Sequence, residues 1–190
     1  RSKLPEYKII QKKTKNFAKS LNVSDDYINY SNWPRSHGNN YASRFSGLKK
    51  INKENIKNLK VAWKYKSNDS IGKEIQANAI VVNGLIYTPA PGNFIVCLDG
   101  KTGNEIWKFK VTKGVAARRG LVLWKNPNEN FSRIFFTNNE DKLIALNSKT
   151  GKKIKSFGNK GEINIGLSPM PPLVINNYLI VATFKPDLQV

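Results

Sequence analysis

Apolar residues along this chain fall in short runs, continuous or alternating, broken by turns rich in Asn, Gly, Asp and Lys. That pattern predicts strands rather than helices. One stretch of it occurs twice. Residues 86–109 (IYTPAPGNFIVCLDGKTGNEIWKF) align without a gap to residues 134–157 (IFFTNNEDKLIALNSKTGKKIKSF), an offset of 48 (134 − 86). Ile86/Ile134, Leu98/Leu146, Lys101/Lys149, Thr102/Thr150, Gly103/Gly151, Ile106/Ile154 and Phe109/Phe157 are identical. Each copy reads as a strand, a polar turn, a second strand, an Asp/Asn-x-Lys-Thr-Gly turn and a third strand. A period in the forties made of short strands predicts β-propeller blades.

The same grammar extends in both directions. Residues 172–182 (PLVINNYLIVA) repeat residues 79–89 (AIVVNGLIYTP), with Asn176-Asn177 and Asn83-Gly84 where a hairpin needs positive φ. Residues 61–66 (VAWKYK) resemble the closing strand 105–110 (EIWKFK), so Trp63 and Trp107 close successive blades and Lys155 stands where a third Trp would. A four-stranded sheet cannot bury both faces alone; stacking blades does so, and a flat Trp at a strand end fills the space between neighbours. Lys155 offers only an aliphatic stem there.

The expected fold is therefore all-β: a partial β-propeller of about three blades over residues 33–190, cut short at its C-terminal end, after a basic lead-in, residues 1–32. In the lead-in Ile9, Ile10, Phe17, Ala18 and Leu21 suit a short amphipathic helix. A second short helix is expected over 48–59, with Asn52 as N-cap and Ile51, Ile56 and Leu59 as its contacts. At 190 residues the chain holds too few blades to close a ring and reads as a piece of a longer protein, whose open blade edges would invite aggregation.

Composition changes this picture little. The net charge of +19 raises nucleic acid or an anionic membrane as a partner. The excess, however, is mostly Lys scattered through turns, as at Lys149, Lys152, Lys153 and Lys155, while Arg is scarce. A compositional bias towards Lys, Asn and Ile accounts for it better, and no nucleic-acid partner is expected. The single cysteine, Cys97, lies within an apolar strand and reads as a small buried hydrophobe. The lone His37 cannot by itself make a His/Cys metal cluster, and no apolar run is long enough to span a bilayer.

The run from Trp33 (WPRSHGNNYASRFSGLKKINKENIKNLKVAWKY), the segment RRGLVLW at 118–124 and FGNKGEI at 157–163 occur in an order that resembles the pyrroloquinoline-quinone (PQQ) dependent dehydrogenases, towards their glucose/alcohol branch. The resemblance covers nearly everything from Trp33 onward. It implies an eight-bladed propeller holding PQQ at its axis, with Ca²⁺ or a lanthanide beside it. It also implies oxidation of a sugar or alcohol in the periplasm, with association to the inner membrane left open, and electrons passed to a cytochrome or a membrane quinone. In that chemistry the cofactor carbonyl accepts hydride, the cation acts as a Lewis acid and a carboxylate removes the hydroxyl proton.

Carried onto this sequence, the resemblance makes Gln76 a contact to the cofactor rim and Arg119 the cation that reaches the quinone oxygens, a role suited to a guanidinium. Arg118 is expected to pair elsewhere and Trp124 to serve blade packing. Where family members carry Thr before the third opening strand, this chain has Pro169 with Ser168 adjacent, so Ser168 is the candidate for a cofactor carboxylate. Asp187 is the candidate metal ligand, because Ca²⁺ takes hard oxygen donors. Lys113 and Gly114 occupy the places of the vicinal cysteines found in the alcohol branch. The catalytic carboxylate lies beyond Val190 in the family, so the chain alone is expected to be inactive. The alternative left open is a cofactor-free propeller scaffold acting in protein–protein interaction, of the outer-membrane assembly type.

Overall fold

The computed structural model describes residues 32–39, 42–67 and 75–184. The expected lead-in helix lies outside these residues. Two four-stranded antiparallel sheets and a hairpin follow one another along the chain. The first sheet runs β1 (Ile80–Val82), β2 (Leu85–Ala90), β3 (Phe94–Asp99) and β4 (Glu105–Lys110), and the second β5 (Val122–Lys125), β6 (Ser132–Thr137), β7 (Lys142–Asn147) and β8 (Glu162–Asn164). The hairpin is β9 (Leu173–Ile175) with β10 (Tyr178–Ile180). Sheet order follows chain order, as in propeller blades. The sequence repeat is a structural one, since Ile86 faces Leu98 across β2–β3 as Ile134 faces Leu146 across β6–β7.

Side-chain alternation decides how the blades stack. Along β3, Ile95 and Cys97 point to one face and Val96 and Leu98 to the other; along β7, Ile144 and Leu146 oppose Leu143 and Ala145. One core joins Ile95, Cys97, Tyr87 and Trp107 of the first blade to Ile134, Phe136, Ile144 and Leu146 of the second. A second core joins the outer face of that blade, through Val122, Phe135 and Ala145, to Val174, Leu179 and Val181 of the hairpin. The hairpin thus stands as the opening of a third blade.

Trp107 locks the first blade to the second. Its Nε1–H donates to the Ser148 carbonyl at 2.9 Å, in the turn after β7. Its ring lies on Gly151, where a Cβ would come within 2.5 Å of Cε3. The turn itself is built by its Asp or Asn. Asp99 Oδ1 accepts from the N–H groups of Lys101 and Thr102 and from the Thr102 hydroxyl, and Asn147 Oδ1 accepts from those of Lys149 and Thr150. Thr102 in particular holds the Asp99 carboxyl below its usual range.

Three expectations need correction. The third strand of the second repeat, expected near Lys155, is not formed: Lys153 makes a single bridge to Leu146, and β8 pairs with β7 instead. Without a Trp to dock, the chain turns through Gly158, Lys160 and Gly161, all at positive φ, before pairing again. The helix expected over 48–59 is one 3₁₀ turn, Ile56–Asn58. Asn52 is not its N-cap: that place falls to Asn55, which makes no side-chain cap, while Asn52 Oδ1 accepts from the Glu54 and Asn55 N–H groups just before the turn; Ile51, Ile56 and Leu59 are exposed, so no packed face supports a longer helix. Residues 61–66, expected as a strand, pair with no strand among the described residues.

Candidate functional site at the blade ends

In an antiparallel blade the start of the first strand, the turn between the second and third, and the end of the fourth share one end of the sheet. In the first blade that end gathers Gln76 before β1, the turn 91–93 and the segment after β4. Ile75, Gln76, Pro89, Ala90, Pro91, Gly92, Asn93, Val115, Ala116 and Arg118 enclose a small cavity there. Asn93, held at φ +66, wires its wall: Nδ2 donates to the carbonyls of Val111 and Gly114, and Oδ1 accepts from the Ala116 N–H. This fixes the loop that delivers Arg118 and Arg119 to β5.

The arginine pair divides. Arg118, expected to pair elsewhere, lines the cavity with Gln76; Arg119 does not line it and is exposed. The Arg119 backbone is nonetheless held, because its carbonyl accepts from the buried Ser36 hydroxyl at 3.3 Å. Gly120 makes this approach possible: at φ +127, a Cβ there would lie 1.9 Å from Ser36 Oγ. The Ser36 carbonyl in turn accepts from Asn78 Nδ2, between Gln76 and β1. Residues 33–35 run along the innermost edges of both blades, Trp33 bridging Val81 and Arg35 bridging Val122. The Trp-Pro opening therefore straps the two blades where Gln76 and Arg119 emerge.

Ser168 precedes β9 as Arg119 precedes β5 and Gln76 precedes β1, so repetition of the blade brings all three to the same end of successive blades. Ser168 is fully buried, and its Oγ has no hydrogen-bond partner among the described residues. Its carbonyl accepts from the buried Thr137 hydroxyl at 2.8 Å. A group that reaches Ser168 Oγ must enter space its neighbours now fill. Asp187 lies outside the described residues. Among those described, no cluster of three His, Cys, Asp or Glu could hold a metal ion. Cys97 is buried and free, and burial pushes its thiol up to about 11. Trp124 is half-buried against Phe135, as expected of blade packing. No helix among the described residues is long and apolar enough to cross a membrane.

Sequence reasoning missed Ser36, Asn93 and Arg118. Asn93 sits in a Gly-Asn turn, a signal for positive φ, but that a turn side chain would brace a loop some twenty residues on is a tertiary fact.

Residues 33–186 match the family described as PQQ: glucose/ethanol/alcohol dehydrogenase, beta-propeller domain. Quinohemoprotein alcohol dehydrogenase of Comamonas testosteroni is 32% identical over 151 residues, covering 72% of this chain and 20% of that protein. Methanol dehydrogenase (cytochrome c) subunit 1 of Methylorubrum extorquens is 31% identical over 183 residues, covering 90% and 28%. The crystal structure of the Comamonas testosteroni enzyme superposes with a TM-score of 0.66 at 27% identity, over 85% of this chain and 25% of that one. The chain spans about a fifth to a quarter of the length of these relatives.

Proposed function

This chain belongs to the PQQ-dependent glucose/ethanol/alcohol dehydrogenase β-propeller family, and from that premise we propose that residues 33–190 are the N-terminal part of a propeller that oxidises a sugar or an alcohol. When bound, PQQ with Ca²⁺ or a lanthanide supplies the hydride acceptor and the Lewis acid. The observation that supports the reading is that Gln76, Arg119 and Ser168 each stand just before the first strand of its blade, at the same end of three successive blades.

Each residue present has a role that fits a flat, polyanionic quinone. Arg119, on a backbone fixed through Ser36 and Gly120, holds a full positive charge towards the quinone oxygens and favours negative charge building there. Arg118 adds a second cation beside the Gln76 amide, suited to a carboxylate. Ser168 Oγ is an orphaned buried hydroxyl, and such groups usually have a partner in the complete molecule. Asp187 remains the candidate metal ligand. The acceptor of electrons is a cytochrome or a membrane quinone, and the setting is the periplasm, with association to the inner membrane left open. The chain alone is inactive in this reading, because the proton-removing carboxylate belongs to the rest of the propeller.

The test is dye-coupled oxidation of alcohols and sugars by the full-length protein after reconstitution with PQQ and Ca²⁺. Turnover that requires both supports the reading. No turnover on any alcohol or sugar, with PQQ bound or not, overturns it.

A further inference from the structure

Between the first two blades of the open fan the chain crosses in one short segment, residues 111–121, which leaves β4 and carries the arginine pair to β5. Asn93 braces this segment from the first blade. From the second blade it is held by the turn after β6. The Val115 N–H donates to the Asn138 carbonyl at 2.7 Å, and the Ala117 N–H donates to the Thr137 carbonyl at 3.2 Å. Gly114, at φ +76, lets the segment come this close, since a Cβ there would lie 2.1 Å from the Asn138 oxygen. The residue after Ala117 is Arg118, which lines the cavity with Gln76.

The turn that receives the segment is itself firmly built. Asn138 is buried, and its Oδ1 accepts from the N–H groups of Glu140, Asp141 and Lys142. The Asp141 carbonyl accepts from the Ile165 N–H at 2.8 Å, tying the turn to the chain after β8. Lys113 reaches onto this turn from the first blade, its Nζ 3.3 Å from both Glu140 Oε2 and Asp141 Oδ2. Glu140 and then Asp141 hold the ammonium above its usual range, so it keeps its charge. A single exposed ion pair contributes little, but here one cation bridges two carboxylates that a braced turn holds in place.

We propose that Lys113 is a positioning residue for Arg118: its bridge to Glu140 and Asp141 pins the crossing segment to the second blade and so sets where the Arg118 guanidinium stands beside Gln76. Lys113 does not line the cavity itself, so it acts through the backbone of residues 114–117. Breaking the bridge frees one end of the clamp. The two backbone bonds and the Asn93 brace remain, so the segment loosens without unfolding. The role rests on the reading of Gln76 and Arg118 as cofactor contacts, whereas the clamp can be measured with no cofactor present.

The test uses the full-length apoprotein with Lys113→Met, which keeps the aliphatic stem and removes the charge, and Lys113→Arg, which keeps the charge. Hydrogen exchange at the Val115 and Ala117 amides is expected to accelerate about twofold to fivefold in Lys113→Met, the factor an exposed ion-pair network is worth, and to return to the wild-type rate in Lys113→Arg. Unchanged exchange at both amides would overturn the clamp. In calorimetric titration with PQQ and Ca²⁺, Lys113→Met is expected to lower affinity about twofold to fivefold and Lys113→Arg to restore it. In an Arg118→Ala background Lys113→Met is expected to change nothing further, because the group it positions is gone. An equal loss in that background would overturn the positioning of Arg118. A wild type that binds no PQQ would overturn the cofactor reading and this role with it. A wild type that binds PQQ beside a Lys113→Met variant of the same affinity would overturn the role alone.

Discussion

The contact between Trp107 and Gly151 predicts a strong coupling between two substitutions. Trp107→Ala removes a ring that is 9% exposed and in contact with Tyr87, and leaves the Ser148 carbonyl without its donor. Loss of a buried Trp costs about 3–5 kcal/mol, and the orphaned carbonyl adds about 1 kcal/mol or more if water does not reach it. Gly151→Ala acts from the other side. At φ +66 it costs about 1–2 kcal/mol in backbone strain. Its Cβ, 2.5 Å from the Trp107 ring, forces a further about 1–3 kcal/mol of repacking. In the Trp107→Ala background that second part vanishes and only the backbone strain remains. The double variant should therefore be more stable than the sum of the singles implies, by about 1–3 kcal/mol. The assay is a double-mutant cycle on the full-length protein, read as opening free energies from native-state hydrogen exchange at amides of β3 and β7. Strict additivity would refute the reasoning, because it would mean that the ring does not rest on that glycine.

Other predictions follow from single groups. Lys153 holds the Glu162 carboxyl below its usual range, so the pair's contribution is fully present above the unfolded value of about 4.3 and lost as pH falls through the folded one. Glu162→Gln should lower Tm slightly at pH 6, by an amount worth about 1 kcal/mol or less, and the gap should narrow as the medium is made more acid; a gap that widens in acid contradicts the sign. Cys97, buried with its thiol raised to about 11, should resist thiol reagents at pH 8 until the protein unfolds; rapid labelling of the native protein would contradict its burial. Residues 33–190 expressed alone should aggregate through the two uncovered faces. A monodisperse, cooperatively unfolding monomer would count against the open-fan description.

What was legible in the sequence was whatever repeats. The Ile86–Phe109 pattern and its copy set strand order, register and the placing of Trp107, because alternation and a turn Asp or Asn act locally. The misreadings lie where local preference depends on an absent partner. Residues 48–59 have the spacing of a helix but no packed face to hold one, so a single 3₁₀ turn forms. Lys155 offers only an aliphatic stem where Trp would stand, and the fourth strand is displaced to Glu162–Asn164. At the candidate site, the blade repeat placed Gln76, Arg119 and Ser168 each a few residues before the first strand of its blade. It could not show that Arg118, not Arg119, shares the cavity with Gln76, since which of two adjacent arginines turns inward depends on the loop that Asn93 braces.

The central claim is that these blade ends hold PQQ, and calorimetric titration of the full-length apoprotein with PQQ tests it most directly. The wild type and an Arg119→Ala variant would be compared with and without Ca²⁺. The account predicts saturable, Ca²⁺-dependent binding, weakened about tenfold to a hundredfold in the variant, as expected for loss of a charge-assisted hydrogen bond. Absence of binding in either metal state would contradict it and leave the propeller as a scaffold; unchanged affinity in the variant would remove Arg119 from the site and leave Arg118 as its cation.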